Sequence, residues 1–282
     1  NYTTGGEVWS SPAVADGKVF VGSEDYNVYA LNATNGASIW NYTTGGEVWS
    51  SPAVAEGKVF VGSQDNNVYA LDASTGRRVW FYKTDAMVRS SPVFVDGIVF
   101  VGSYDCNVYA LDASHGAKVW NYTTNGVVHS SAAVAEGKVF IGSRDRNVYA
   151  LNASTGVLIW NYATGGEVWS SPAVADGKVF VGSHDGNVHA LNASTGTRVW
   201  KYRTGWYVFS SPAVADGRVY VGSYDYKVYA FADHDVAVED VVPSKTVVGS
   251  GYSLSIRTNV VNRGYYTEIF NVTAYTNTTI IK

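Results

Sequence analysis

At intervals of forty residues the chain places Trp9, Trp49, Arg89, His129, Trp169 and Phe209. Two residues before each stand Glu7, Glu47, Met87, Val127, Glu167 and Tyr207. A second series on the same interval reads Glu24, Gln64, Tyr104, Arg144, His184 and Tyr224. The sequence around these positions is copied almost verbatim, so the positions that vary are the ones free to serve a partner. Aromatic rings mixed with Arg, His and Glu can stack on sugar rings or hold a peptide, and Trp, Tyr and Arg are common anchors of protein interfaces. A second chemistry is acid–base catalysis, for which Arg89, His129, Arg144 and His184 are the candidates, provided they converge with a carboxylate around a deep pocket. The plainer alternative is that the Trp side chains merely fill space, with Arg and His tolerated at a wet rim.

Other chemistries find little support. Cys106 is the single cysteine, so no intrachain disulfide and no Cys-based zinc site can form. Its repeat equivalents are Tyr26, Asn66, Arg146, Gly186 and Tyr226, which marks an ordinary varying site. The Asp of each "GS-x-D" turn (Asp25, Asp65, Asp105, Asp145, Asp185, Asp225) supplies one carboxylate per turn. A calcium cage wants roughly 6–8 oxygens, so these read as turn residues bonding local amides. His115 sits in the turn "ASHG", where other copies have Asn35 or Thr75, and the five His have no close metal spacing. No G-x-S-x-G elbow and no phosphate loop occurs. The net charge is −4, with 16% charged residues and no basic patch, so no nucleic-acid partner is expected. No apolar run is long enough to span a membrane. The chain opens on "NYTT", in mid-repeat and without an initiator Met, as it would if an upstream segment had been removed.

The elements that must position the variable series follow from the repeat itself. Trp40, Trp80, Trp120, Trp160 and Trp200 share the forty-residue interval, as do Pro12, Pro52, Pro92, Pro172 and Pro212, with Ala132 in the fourth copy. Periods near forty suit helical pairs or propeller blades. Runs such as "KVFVGS" and "NVYAL", broken by Gly, Asp and Asn, are strand and turn signals, and no helical pattern intervenes. Each repeat divides into strand A (7–15), the turn Asp16-Gly17, strand B (18–23), a loop, strand C (27–31), the turn "NATNG" and strand D (38–43). The expected fold is all-β: a β-propeller of four-stranded antiparallel blades over residues 1–232. Six blades are expected, the last closed by an N-terminal outer strand at residues 1–4; a larger ring is the alternative. In such blades the A–B and C–D turns share one face. The D–A and B–C loops share the other, which puts both variable series at the mouth of the central channel.

The stretches "ALNATNGASIW", "ALDASTGRRVW", "ALDASHGAKVW", "ALNASTGVLIW" and "ALNASTGTRVW" resemble the tryptophan-docking motif of PQQ-like repeat propellers. That family includes quinoprotein dehydrogenases and the outer-membrane assembly lipoprotein of the Bam complex. The resemblance implies that Trp40, Trp80, Trp120, Trp160 and Trp200 are structural staples packing between blades. It likewise casts Asn32, Asp72, Asp112, Asn152 and Asn192 as Asx-turn residues, and Gly36, Gly76, Gly116, Gly156 and Gly196 as positive-φ residues. The dehydrogenases bind their quinone with an adjacent Cys pair, a stacking Trp and a calcium. One Cys and uninterrupted repeats do not fit that chemistry, so no cofactor and no metal are expected.

Residues 233–282 leave the period. Leu254 and Ile256, then Phe270, Val272 and Ala274, alternate with polar residues as sandwich strands do. "HDVAV…N-x-G…F-x-V-x-x-Y" resembles the first half of an Ig-like cell-adhesion-related domain of prokaryotic surface proteins. Such a domain needs about seven strands; about four fit here, an incomplete sandwich whose edges invite self-association through the tail. Sequons occur at Asn1, Asn32, Asn41, Asn121, Asn152, Asn192, Asn271 and Asn277. With the Thr- and Asn-rich surface and the adhesion-type tail, they favour an extracellular or cell-surface location. The expectation is a non-enzymatic scaffold or adhesion protein that binds a protein, peptide or glycan at the channel mouth. The alternatives are a quinoprotein-like or hydrolytic enzyme at the same mouth, and a structural subunit assembling through its C-terminal strands.

Overall fold

The computed structural model describes residues 1–232 and, beyond them, the backbone of the strands Val236–Pro243, Ile256–Asn262, Ala274–Thr276 and Thr279–Ile281. The expectations on Leu254, Phe270, Val272 and the sequons at Asn271 and Asn277 lie outside the described residues. Each repeat folds as an antiparallel meander. In blade 1 these strands are β1 (Ala13–Ala15), β2 (Lys18–Gly22), β3 (Asn27–Asn32) and β4 (Ser38–Thr43), hydrogen-bonded in chain order. Asp16 and Gly17 both take positive φ (47° and 69°), the conformation a two-residue hairpin turn requires. Ala30 lies opposite Trp40, and a register shift follows it before Leu31. Four more four-stranded sheets repeat this plan within residues 53–83, 93–123, 133–163 and 173–203. A sixth sheet has three strands, Ala213–Ala215, Arg218–Ser223 and Lys227–Ala232.

Neighbouring blades are joined in three ways. The rear of one blade and the front of the next share a core, such as Phe20, Val28, Ala30 and Trp40 with Val48, Val59, Val61, Tyr69 and Leu71. The indole N–H of Trp40 donates to Ala73 O at 3.2 Å, and Trp80, Trp120 and Trp160 repeat this to Ala113, Ala153 and Ala193. Each of these indoles lies over a positive-φ glycine of the next blade; a Cβ on Gly76 would come within 2.6 Å of the Trp40 ring. Finally, Ser11 N–H donates to Ser51 Oγ, Ser51 to Ser91, Ser91 to Ser131, Ser131 to Ser171 and Ser171 to Ser211, all at 2.8–3.0 Å. This ladder ties the innermost strands together one blade at a time.

The expected closure is not made among the described residues. Residues 1–4 form no strand, and the sheet ending at Lys227–Ala232 has no fourth strand. The N-terminal residues lie instead against blade 1: the rings of Tyr2 and Tyr29 are 5.3 Å apart, as Tyr42 and Tyr69 are at 5.7 Å. They hold the place of a preceding outer strand without pairing into one. The front of blade 1 is consequently bare, with Val8 48% and Val14 68% exposed.

Two compact units divide the chain, residues 1–214 with 220–229, and residues 215–219 with 230–282. In the second, Val236–Pro243 pairs antiparallel with Ile256–Asn262, and Ala274–Thr276 pairs with Thr279–Ile281.

Candidate binding site at the loop face

The loops carrying the variable residues are held by constant ones. Asp25 Oδ2 accepts the Gly5 N–H and the Tyr29 hydroxyl, both at 2.6 Å, while Oδ1 accepts the Asn27 N–H at 3.0 Å. Asp65, Asp105, Asp145 and Asp225 do the same for their own blades, accepting from Gly45, Asp85, Asn125 and Gly205 and from a tyrosine. Burial pushes the Asp25 carboxyl upward, but the Tyr29 and amide hydrogen bonds outweigh it, and its pKa falls below the usual value. Tyr29 is pushed up to about 12 by burial and by its bond to that carboxylate. The D–A loop also pairs with the B–C loop through Glu24 N–H to Glu7 O at 2.9 Å, a bond repeated in every blade to Tyr224 with Tyr207. The opposite turns pair separately, Ala33 N–H to Gly17 O. Both variable series therefore emerge on one face.

Blade 5 departs from this plan. His189 replaces the tyrosine, is buried, and places Nε2 3.1 Å from Asp185 Oδ2. No hydrogen bond from Gly165 N–H reaches that carboxylate. Burial raises the Asp185 pKa, but the His189 hydrogen bond and charge more than offset this and bring it to about 2.

On the loop face a cavity of about 480 Å3 is lined by Trp9, Trp49, Arg89, His129, Trp169, Phe209 and Tyr224. The first series is brought together in full. Its members pack on one another: Trp9 stacks on Trp49 at 5.6 Å, the Arg89 guanidinium lies 4.0 Å from the Trp49 centroid, His129 packs on Trp169 at 4.9 Å, and Trp169 meets Phe209 at 5.7 Å. Of the second series only Tyr224 reaches the wall, 4.5 Å from Phe209. Gln64, Tyr104, Arg144 and His184 back it. Gln64 Oε1 accepts from Arg89 at 3.2 Å and its amide donates to Glu47 at 2.6 Å. Tyr104 lies under Arg89 at 5.3 Å, Arg144 packs on Trp169 at 4.7 Å, and His184 stacks on Trp169 at 5.4 Å. Glu24 contributes its backbone N–H to Glu7 and is absent from the wall.

A smaller hollow of about 220 Å3 includes His184, Arg203, Trp206 and Tyr207. Trp206 was not among the sequence candidates. The signal was there: four other copies have Gly at this position (Gly6, Gly46, Gly126, Gly166), and the third has Ala86.

Charges at the mouth are unevenly matched. Arg144 Nε donates to Glu167 Oε2 at 3.0 Å, and the Trp169 indole donates to the same oxygen at 2.7 Å. These bonds overcome burial and lower the Glu167 pKa. His184 Nδ1 lies 3.9 Å from that carboxylate, outside hydrogen-bond reach. Burial, then the Arg89 and Arg144 charges, bring His129 to about 4, so its imidazole is neutral at pH 7. Arg89 meets no carboxylate among the described residues, and its Nε, the Trp49 Nε1 and the His184 Nε2 are buried without a hydrogen-bond partner. The cavity wall carries no carboxylate and, Tyr224 apart, no hydroxyl. Among the described residues no group of three or more His, Cys, Asp or Glu is placed to hold a metal.

A family profile described as outer membrane protein assembly factor BamB matches residues 1–129, 82–171 and 163–239. The chain belongs to this family. No curated protein sequence matches it. Among solved structures, BamB from Moraxella catarrhalis superposes with a TM-score of 0.74 at 22% identity, over 82% of this chain and 75% of that one. The computationally designed Ika8 protein gives 0.72 at 18% identity, over 79% and 70%. The quinohemoprotein alcohol dehydrogenase ADHIIG from Pseudomonas putida gives 0.64 at 19% identity, over 76% of this chain and 50% of that one. At these identities the likeness is one of fold, and BamB-type and quinoprotein chains share it.

Proposed function

We propose that this BamB-type protein is a non-enzymatic scaffold of the cell surface or extracellular space, whose loop face binds a partner at the cavity mouth. One observation carries the reading: a framework copied almost without change holds a ring of residues that differ from blade to blade and line a single cavity. Positions kept for packing would have been copied with the framework. The family description, an assembly factor, is in keeping with holding another molecule rather than transforming one. An Ig-like adhesion-type tail would then act as a spacer beyond the propeller.

The competing enzymatic reading draws on Arg144 and His184, which both approach Glu167. His184 stands too far from Glu167 for a hydrogen bond and its Nε2 is buried without a partner, so it is poorly placed to move a proton. The test is a glycan and peptide array probed with the wild type, Trp49→Ala and Arg89→Ala. Binding that weakens in the variants supports the mouth as the site; binding unchanged in both removes it.

A further inference from the structure

The aromatic residues at the mouth suggest stacking on a flat ligand, yet Trp49 and Trp169 are already packed against their neighbours. Trp49 has Trp9 on one face and Arg89 against it, and Trp169 has His184, His129 and Arg144 around it. Among the described residues Arg89 is on the cavity wall and no carboxylate is, so the wall favours an anion over a cation.

The hydrogen-bond donors point the same way. Trp9 and Trp169 each donate their indole N–H to the glutamate two residues before, Glu7 at 3.0 Å and Glu167 at 2.7 Å. Trp49 has Glu47 in the same place, but Glu47 is engaged by Gln64, and the Trp49 indole has no acceptor. Arg89 beside it bonds a neutral amide oxygen through Nη2 and leaves Nε without a partner. A buried donor without an acceptor costs about 1–3 kcal/mol. Here the two belong to neighbouring side chains of the wall, Arg89 being its one cation among the described residues, and both atoms are themselves buried. The acidic residues nearby are engaged elsewhere, Glu167 by Arg144 and Glu47 by Gln64. His129 is neutral and adds no charge of its own at pH 7.

We propose that the mouth cavity is an anion site that takes the carboxylate of a small organic acid, with Arg89 as its counter-ion. This rests on the mouth being the place of binding. A guanidinium and a carboxylate form the strong, charge-assisted kind of hydrogen bond. The volume, about 480 Å3, exceeds what a bare inorganic oxyanion would fill, and the largely aromatic wall suits the carbon skeleton of an organic one.

Calorimetric titration at constant ionic strength with sodium glucuronate, glucose and sodium acetate tests it. The expected result is glucuronate binding at least about tenfold tighter than glucose, with acetate competing. Arg89→Met should abolish the preference and Arg89→Lys should keep part of it, since an ammonium retains the charge without the fork. Equal binding of glucuronate and glucose, no binding of glucuronate, or a preference that survives Arg89→Met overturns the proposal. If both sugars bind equally and Trp49→Ala abolishes both, the mouth remains a binding site and only its anion selectivity falls. If binding responds to neither Trp49→Ala nor Arg89→Met, the mouth falls with it.

Discussion

Residues 5–23 and 165–183 are the same nineteen letters, and they fold into the same two strands and loop in blades 1 and 5. Their surroundings differ. Val168 is fully buried while Val8 is 48% exposed, and Trp169 is half-buried while Trp9 is 62% exposed. Blade 5 has blade 4 in front of it; among the described residues of its own unit, blade 1 has the N-terminal residues. The strand, the turn and the loop are therefore local properties of the sequence. The core is a property of the neighbour. In a repeat array stability is close to a sum of unit and interface terms, and this pair of identical segments separates the two.

The sharpest way to break the comparison is to place the same charge in both segments. Val168→Asp puts a carboxylate at a fully buried position among apolar side chains, and should cost about 3 kcal/mol or more. Val8→Asp, at an exposed copy of the same position, should stay within about 0.5 kcal/mol. Urea unfolding of both variants measures the difference. Equal losses would mean that blade 1 is covered in solution.

A milder probe approaches the interface from the other side. Val168 packs directly over Gly142 of blade 4, and a Cβ there would collide with its side chain and carbonyl. Gly142→Ala should cost about 1–3 kcal/mol through overpacking. At the corresponding Gly222 an added Cβ meets, among the described residues, Ser210 Oγ at 3.4 Å and Cβ at 3.6 Å, and no valine of a following blade. Gly222→Ala should fall within about 0.5 kcal/mol by the same unfolding measurement.

Much of this was legible in the chain. The forty-residue interval, the Asp-Gly turns and the Trp series lead to four-stranded blades because each is a local signal: a turn that needs positive φ, an alternation, a large ring beside a glycine. The two loop series lead to one face for the same reason. What the sequence hid depends on neighbours. Whether residues 1–4 pair with Lys227–Ala232 is decided by the placement of blades relative to each other, which no single repeat encodes. The serine ladder is silent because Ser11 and its copies do not vary, and a constant residue looks like filler. That the mouth rings pack on one another follows from the angle at which successive loops meet. The partnerless donors of Trp49 and Arg89 follow from a single residue, Gln64, drawing Glu47 away.

The third probe concerns the position that Trp9 and Trp169 share with His129. Burial and two neighbouring cations hold the folded pKa of His129 near 4, against about 6.5 for a free imidazole. The unfolded chain therefore binds the proton more readily. The stabilising contribution is complete above about pH 6.5 and is lost as pH falls toward 4. His129→Gln, which does not titrate, should flatten that part of the stability curve. Thermal midpoints at about pH 7 and pH 4.5 check it, and an unaltered slope in the variant would count against a buried neutral imidazole.

The smallest effect should come from a polar contact in which blades 1 and 5 differ by sequence. In blade 1 the carboxylate of Asp25 joins the Tyr29 hydroxyl to the Gly5 amide; in blade 5 Asp185 takes the His189 imidazole and makes no bond to the Gly165 N–H. His189→Tyr should restore the arrangement of the other blades and change stability at neutral pH by no more than about 1 kcal/mol, one hydrogen bond exchanged for another. Its acid behaviour should separate the two designs. The Asp185 pKa is depressed to about 2, so its contribution is complete above the ordinary carboxylate pKa of about 4 and fades as pH falls through 2. A tyrosine cannot supply the imidazole's positive charge, so the Asp185 pKa should rise and the variant should lose stability earlier below about pH 4. Urea midpoints at about pH 4 and pH 2.5 measure this. A variant matching the wild type at both would mean that the hydrogen bond alone, and not the charge of His189, holds the Asp185 carboxylate ionised.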